Sequence, residues 1–231
     1  MANAASSYRE LQDRTLDLLS KSDSVTRNRV KNWLNLGYYD FVLREQWPSR
    51  QVTDTVTTIG GTQEYTLASE FSDIDQNNIQ SVSVQSPINK KLVYWPYAQL
   101  RASQPDFSII GNAVPERYYL KDAKIGFWPT PDAAYTVAVD YYRLPTEMSD
   151  DSDTPTLIPL SYRESLIHYA LSLEHDFNTD PDLAQKAMNR YEQIVTLARN
   201  NLLAQPFDTG GFTILGPADW RNHTGLSGEV R

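Results

Sequence analysis

The chain has 231 residues, a net charge of −8, no cysteine, and an aromatic load that includes 14 tyrosines and 5 tryptophans. At this length it can bury roughly 70–75% of its unfolded surface, so no staple is required, and without cysteine a disulfide framework, a thiolate nucleophile and a Cys-type zinc site are excluded. The acidic balance argues against sequence-specific DNA binding, which needs a basic face, and no apolar run approaches the ~20 residues of a membrane span.

Tyr8, Leu11, Thr15, Leu18 and Leu19 recur at helical spacing within residues 6–21. Lys21-Ser-Asp-Ser24 interrupts them, and a second helix is expected from about Val25 to Gln46. Its face carries Val30, Trp33, Leu34, Gly37, Tyr38, Phe41 and Val42, and Trp47-Pro48 stops it because the residue before proline is pushed out of the helical region. Gly37 in that face predicts the close approach of another helix or an aromatic ring. Arg27, Arg29 and Lys31 open the helix as a small basic patch, readable either as a contact to a nucleic acid backbone or acidic partner, or as a solvated face.

From Arg50 the texture changes to β-branched runs. Gln51–Ile59 and Glu64–Leu67 flank the turn signal Gly60-Gly61, which predicts a hairpin. Strands are expected over Ile79–Val84 and, paired with it, Lys90–Tyr94, followed by a helical excursion over Trp95–Ser103. Glu116–Leu120 and Lys124–Trp128 read as a hairpin, and Tyr135, Val137, Val139 and Tyr141 alternate with Thr136, Ala138, Asp140 and Tyr142 as a further strand. Pro145–Pro159, with Glu147, Asp150, Asp151 and Asp153, reads as the acidic, proline-rich return linker.

Ser161-Tyr-Arg-Glu164 has the form of a capping box. Tyr162, Leu166, Tyr169, Ala170, Leu173 and Phe177 follow as one apolar stripe. Asn178-Thr179 breaks it, Asp180-Pro181 is an N-cap followed by proline at the first helical position, and a second stripe runs through Tyr191, Ile194, Val195, Ala198 and Leu202. The expected fold is α+β: a four-helix bundle, built from two N-terminal and two C-terminal helices, with an inserted antiparallel β-domain and an extended C-terminal arm. Its divisions are 1–49 for the first half of the bundle, 50–145 for the β-domain, 146–160 for the linker, 161–205 for the helical hairpin and 206–231 for the arm. The arm is glycine-rich yet carries Phe207, Phe212, Ile214, Leu215, Trp220, Leu226 and Val230, too apolar for a solvating tail. Its last 24 residues, extended, would reach about 80 Å.

Candidate chemistry is sparse. His168 lies one turn after Glu164, and His175 sits between Glu174 and Asp176, both more readily ordinary helix residues than halves of a metal site. Asp73-Ile-Asp75-Gln-Asn77-Asn78 starts like a calcium loop but has Val84 where the bidentate Glu belongs. Asp150-Asp151-Ser152-Asp153 reads as charged linker. Trp95, Tyr97, Tyr118, Tyr119 and Trp128 offer either a sugar-stacking face or a sheet core and subunit interface. No phosphate loop and no nucleophile elbow occurs. The expectation is a protein with no catalytic residues, no cofactor and no metal.

Arg29-Val-Lys-Asn-Trp-Leu-Asn35 in a helix pair ending near Trp47, Phe127-Trp-Pro-Thr-Pro131 before the last strand, Tyr141-Tyr-Arg-Leu-Pro145, and Ile158-Pro-Leu-Ser-Tyr162 before a Tyr- and Ala-rich helix pair together resemble the head-to-tail adaptor (neck) proteins of tailed bacteriophages, and most of all the tail tubular protein A type. The resemblance spans nearly the whole chain and rests on texture rather than on a catalytic signature. It implies a structural virion protein assembled in the host cytoplasm into a homo-oligomeric ring, usually of twelve, under the portal protein of the head. It further implies a C-terminal arm, here Phe207, Phe212, Ile214, Leu215, Trp220, Leu226 and Arg231, that grips the portal, a β-domain facing the next tail or nozzle protein, and genomic DNA passing non-specifically through the lumen, with no membrane involved. Arg27, Arg29 and Lys31 are the candidate patch for DNA or an acidic partner. The alternative reading is a virion carbohydrate-binding or host-recognition module.

Overall fold

The computed structural model describes residues 7–66, 78–104, 111–122 and 124–203. Within them the protein is α+β, with five helices and two four-stranded sheets. Helices α1 (Tyr8–Leu19) and α2 (Ser24–Arg44) come first, then strands β1 (Gln51–Thr57), β2 (Glu64–Thr66), β3 (Ile79–Ser86), β4 (Lys90–Lys91) and β5 (Val93–Tyr94). Helix α3 (Tyr97–Ser103) precedes β6 (Arg117–Lys121), β7 (Lys124–Trp128) and β8 (Thr136–Tyr142), and α4 (Glu164–Phe177) and α5 (Pro181–Leu202) close the described chain.

α4 is the hub of the helical layer, since α1, α2 and α5 all pack against it. Leu11, Val30, Leu34, Phe41, Leu166, Ala170, Tyr191 and Val195 are among the fully buried members of one cluster to which all four helices contribute. The approach expected at Gly37 is present: a Cβ there would stand 2.9 Å from Tyr169 Cδ1. Beside it the hydroxyl of Tyr191 donates to the Asp40 carboxylate, which also takes Arg44 at 2.7 Å, tying α5 to α2.

Two expectations about helix starts part company. Asp180 caps α5 as read, accepting from the Leu183 amide at 3.2 Å. The capping box at Ser161 and Glu164 does not form. Leu160–Tyr162 is already wound as a 3-10 turn that starts after extended Pro159, so Ser161 lacks the extended backbone that an N-cap needs, and α4 begins without a side-chain cap. A complete capping box stands instead at Ser7, whose φ of −106° and ψ of 160° are extended and whose partner is Glu10.

The β block has two sheets, of order β1-β8-β3-β4 and β2-β7-β6-β5. They share one core that includes Val56, Val82, Val84, Leu92, Ile125, Phe127, Val137 and Val139. The hairpin expected around Gly60-Gly61 is replaced by a crossing between sheets. β1 pairs with β8 whereas β2 pairs with β7, and the turn between them is held by Gly61 N donating to Pro131 O at 2.8 Å. Lys90–Tyr94 likewise splits. Leu92 N still donates to Val82 O in the first sheet, while Val93 N donates to Glu116 O in the second. The second sheet also departs from an all-antiparallel pattern, because β5 runs parallel to β6. The hairpin of β6 and β7 is as expected.

Candidate interaction surfaces

Three polar constructions join the elements. The first is buried inside the helical layer. Glu174, near the end of α4, has no exposed side-chain surface and is held by both arms of Arg29, at 2.6 and 3.1 Å. Trp33 Nε1 and Asn178 Nδ2 also donate to it, each at 3.3 Å, and the Arg29 guanidinium lies 4.4 Å from the Phe177 ring centre. Burial pushes the Glu174 carboxyl up, but the donors from Arg29, Trp33 and Asn178 outweigh it and leave the carboxyl below its ordinary range. A depressed carboxylate contributes stability that is complete above the unfolded value, near pH 4.3, and is lost as the pH falls through the folded value. Glu174→Gln is therefore expected to be less stable than the parent above about pH 4.5, with the gap closing in more acidic solution. Urea titrations of both chains across that range check this, and a gap that stays constant with pH would refute it.

The second construction ties the linker to the helical layer, although Asp150, Asp151 and Ser152 stay exposed as a solvated segment would. Asn35 clamps the main chain of Met148 from both sides, Nδ2 donating to Met148 O at 2.9 Å and Oδ1 accepting from Met148 N at 3.1 Å. The carbonyls of Asp153 and Asp151 accept from the first amides of α1, at Tyr8 (2.7 Å) and Arg9 (3.0 Å). Donors at a helix N-terminus lack intrahelical partners, so the acidic loop completes α1. The Asp151 side chain takes Gln12 Nε2 at 3.3 Å, Arg9 at 3.0 Å and Lys31 at 3.5 Å, and the Gln12 bond is the largest of the effects that hold its carboxyl below the ordinary range. Asp153 folds back onto the amides of Ser149 and Asp150.

The third lies between the helical layer and the β block. Arg50 is 3% exposed and has no carboxylate partner among the described residues. Its Nη1 donates to Val42 O (3.1 Å) and Glu45 O (3.0 Å) at the end of α2, its Nε to Arg143 O (3.1 Å), and its Nη2 to Asn78 Oδ1 (3.3 Å). A cation at a helix C-terminus is favourably placed. Next to it Trp47 stacks on Phe41 at 5.0 Å and donates to Phe41 O at 2.8 Å.

The structure does not bring Arg27, Arg29 and Lys31 together as one patch. Arg27 pairs with Asp13 at 2.7 Å, Arg29 with Glu174, and Lys31 with Asp151. The aromatic set is also largely turned to internal use. Tyr118 and Tyr119 are buried; the Tyr119 ring lies where a Cβ on Gly126 would be, 2.1 Å from Cζ. Trp95 meets Trp128 edge-on at 5.4 Å with Arg117 over its face at 4.1 Å, and Tyr97 meets Tyr119 at 5.2 Å with Lys121 over it. His168 Nε2 faces Glu164 Oε1 at 3.5 Å, and burial lowers the pKa of the ring. Among the described residues no group of three His, Asp or Glu is placed to hold a metal ion, and no helix is long and apolar enough to cross a membrane. The Asp73–Asn77 stretch and the arm residues Phe207, Phe212, Ile214, Leu215, Trp220, Leu226 and Arg231 lie outside the described residues.

Sequence reasoning missed the roles of Arg50 and Glu174. Neither is marked by a local pattern, and each also has a partner that folding alone brings near, Arg143 for Arg50 at 93 positions and Arg29 for Glu174 at 145. It also missed a second apolar face on α2, which the spacing of Val25, Leu36 and Leu43 does encode. A search among curated proteins finds no match. The profile of the SU10 adaptor protein family, in contrast, matches residues 6–211, taking in the helical layer, the β block and the first residues beyond α5. The chain therefore belongs to the SU10 adaptor family of bacteriophage adaptor proteins.

Proposed function

We propose that the protein is a structural adaptor of the virion, a ring that joins the portal of the head to the tail and forms part of the DNA channel. The family match over residues 6–211 carries this reading, and the architecture suits it. The four helices and the β block would act as a bundle and an inserted domain with divisions near residues 50 and 145, each with its own core and Arg50 locking one to the other. The β block would meet the downstream tail or nozzle protein. Twelve copies and a tail tubular protein A-like arrangement follow from the resemblance in the sequence. The net charge of −8 suits a conduit, since an acidic lumen repels phosphates whereas a basic one would hold them in a salt-dependent way. That the basic residues of α2 are committed to acids of the same chain fits passage rather than capture.

Portal attachment is assigned to residues 206–231. A chain ending at Gln205 is expected to keep its helical and β signals in circular dichroism and to lose co-sedimentation with portal rings. Normal capping of portals by the shortened chain would remove the arm from the reading. The carbohydrate alternative is disfavoured by the geometry, because Arg117 covers one face of Trp95 and Tyr118 and Tyr119 are buried.

A further inference from the structure

Helix α2 carries more apolar surface than its own fold uses. Its inner face is buried against α1 and α4. At about 100° per residue, Val25, Asn32, Leu36, Tyr39 and Leu43 fall together on the side turned away from α4. Their spacings of seven, four, three and four residues are those of a helix-packing seam. Val25 is 64%, Leu36 48% and Leu43 52% exposed, and the one charged residue in register with them, Arg29, is turned inward to Glu174.

The opposite side of the layer offers a counterpart. α4 meets α2 through Tyr169 and Glu174, which places Glu164 and His168 on its far face. There a cavity of about 270 Å³ opens between α1 and α4, lined by Arg14, Asp17, Leu18, Glu164, Ile167 and His168. Leu18, at its rim, is 63% exposed. The two surfaces lie at one height, because Gly37 touches Tyr169 and their chain neighbours Leu36 and His168 look out on opposite sides.

We infer that the outer seam of α2 is a subunit contact, seated against the α1–α4 cavity of a second copy of this chain. Two unlike patches on opposite faces make a heterologous contact, which repeats head to tail and gives a ring when the rotation between copies closes; closure is taken from the ring reading above, on which the inference rests and whose contact surfaces it names. The 21-residue helix is roughly 30 Å long, so a seam one helix wide covers on the order of 300 Å², well under the ~800 Å² per partner of a standard interface. An isolated pair is accordingly weak, and a closed ring holds each subunit from both sides.

The absence of cysteine makes the test clean. Full-length Leu36→Cys and Leu18→Cys chains are mixed over a concentration series with a short bismaleimide, alongside mass measurements of the uncross-linked parent. Expected are L36C–L18C dimers far in excess of either self-linked product, and a ladder from the double variant. Adding the exposed-site change Leu43→Glu to L36C abolishes the product and leaves the thermal melt in place. Self-linking of L36C alone would show a two-fold contact, and linking of L36C to Ser227→Cys would give the seam to the arm; either overturns the inference. A parent of ring mass with no L36C–L18C link overturns it and spares the ring. A parent that stays monomeric without links at every concentration overturns both.

Discussion

Arg50→Met is expected to lower stability by on the order of 3–5 kcal/mol, because three main-chain carbonyls and Asn78 lose their donor inside a closed junction and each buried group left unpaired costs ~1–3 kcal/mol. For a chain of this size the melting temperature falls by roughly 10 °C. Arg50→Lys is the informative control. A lysine keeps the charge but cannot span carbonyls on α2 and on the strand exit with a planar fork, so it recovers less than half of the loss. A lysine variant that melts with the parent would show that charge alone, and not the bridge, matters there. The expected readout is more than a shifted midpoint: limited proteolysis of the methionine variant cuts first between residues 45 and 50.

The second large effect is at Trp47, which is 1% exposed and belongs to the same core as Met148, Leu157 and Ile158. Trp47→Ala is expected to cost about 3–5 kcal/mol, the transfer term plus the cavity left behind. Trp47→Phe restores the stack on Phe41 and forfeits the bond to Phe41 O, leaving a deficit of about 1 kcal/mol. Urea midpoints of the two variants measure the difference, and equal losses would mean that the hydrogen bond rather than the ring fills the role.

Both residues sit where the chain leaves helix for strand, and the sequence treats them unequally. Trp47-Pro48 was readable as a stop because the proline acts on its immediate neighbour. Arg50 carries no such mark; its partners are assembled by folding from α2, from residue 78 and from the strand exit. The same contrast runs through the whole chain. The Asp180 cap, the close approach at Gly37 and most of the stripes of α1, α2, α4 and α5 are local patterns and are present, but Leu18 and Phe177 fall outside the buried stripes and Ala138 is buried on the face of β8 expected to be exposed. Ser7 and Ser161 both head an S-x-x-E motif, and only the first caps a helix, because Pro159 starts the turn too early for the second. Gly60-Gly61 does turn the chain, but which strand pairs beyond a turn depends on strands far away in sequence. Leu92 shows why a single strand reading of Lys90–Tyr94 misleads: one continuous stretch serves two sheets, changing partner after Leu92. Residues 146–153 are a mixed case. Their acids are exposed as read, but the contacts that hold them, to the amides at the start of α1 and to Arg9, Gln12 and Lys31, come from distant sequence.

The pairing of β1 with β8 has a mechanical consequence. The β block enters at Gln51 and leaves at Tyr142, and these two residues are partners in the register, with Arg143 N bonded to Arg50 O just outside them. A pull that separates the block from the helices along the strand direction therefore loads two covalent strands side by side. Because both connections are loaded at the same end of the sheet, neither strand is drawn past the other and their shared register is not sheared. The guanidinium of Arg50, bonded to Val42 O, Glu45 O and Arg143 O, holds both connections to the end of α2 at that point.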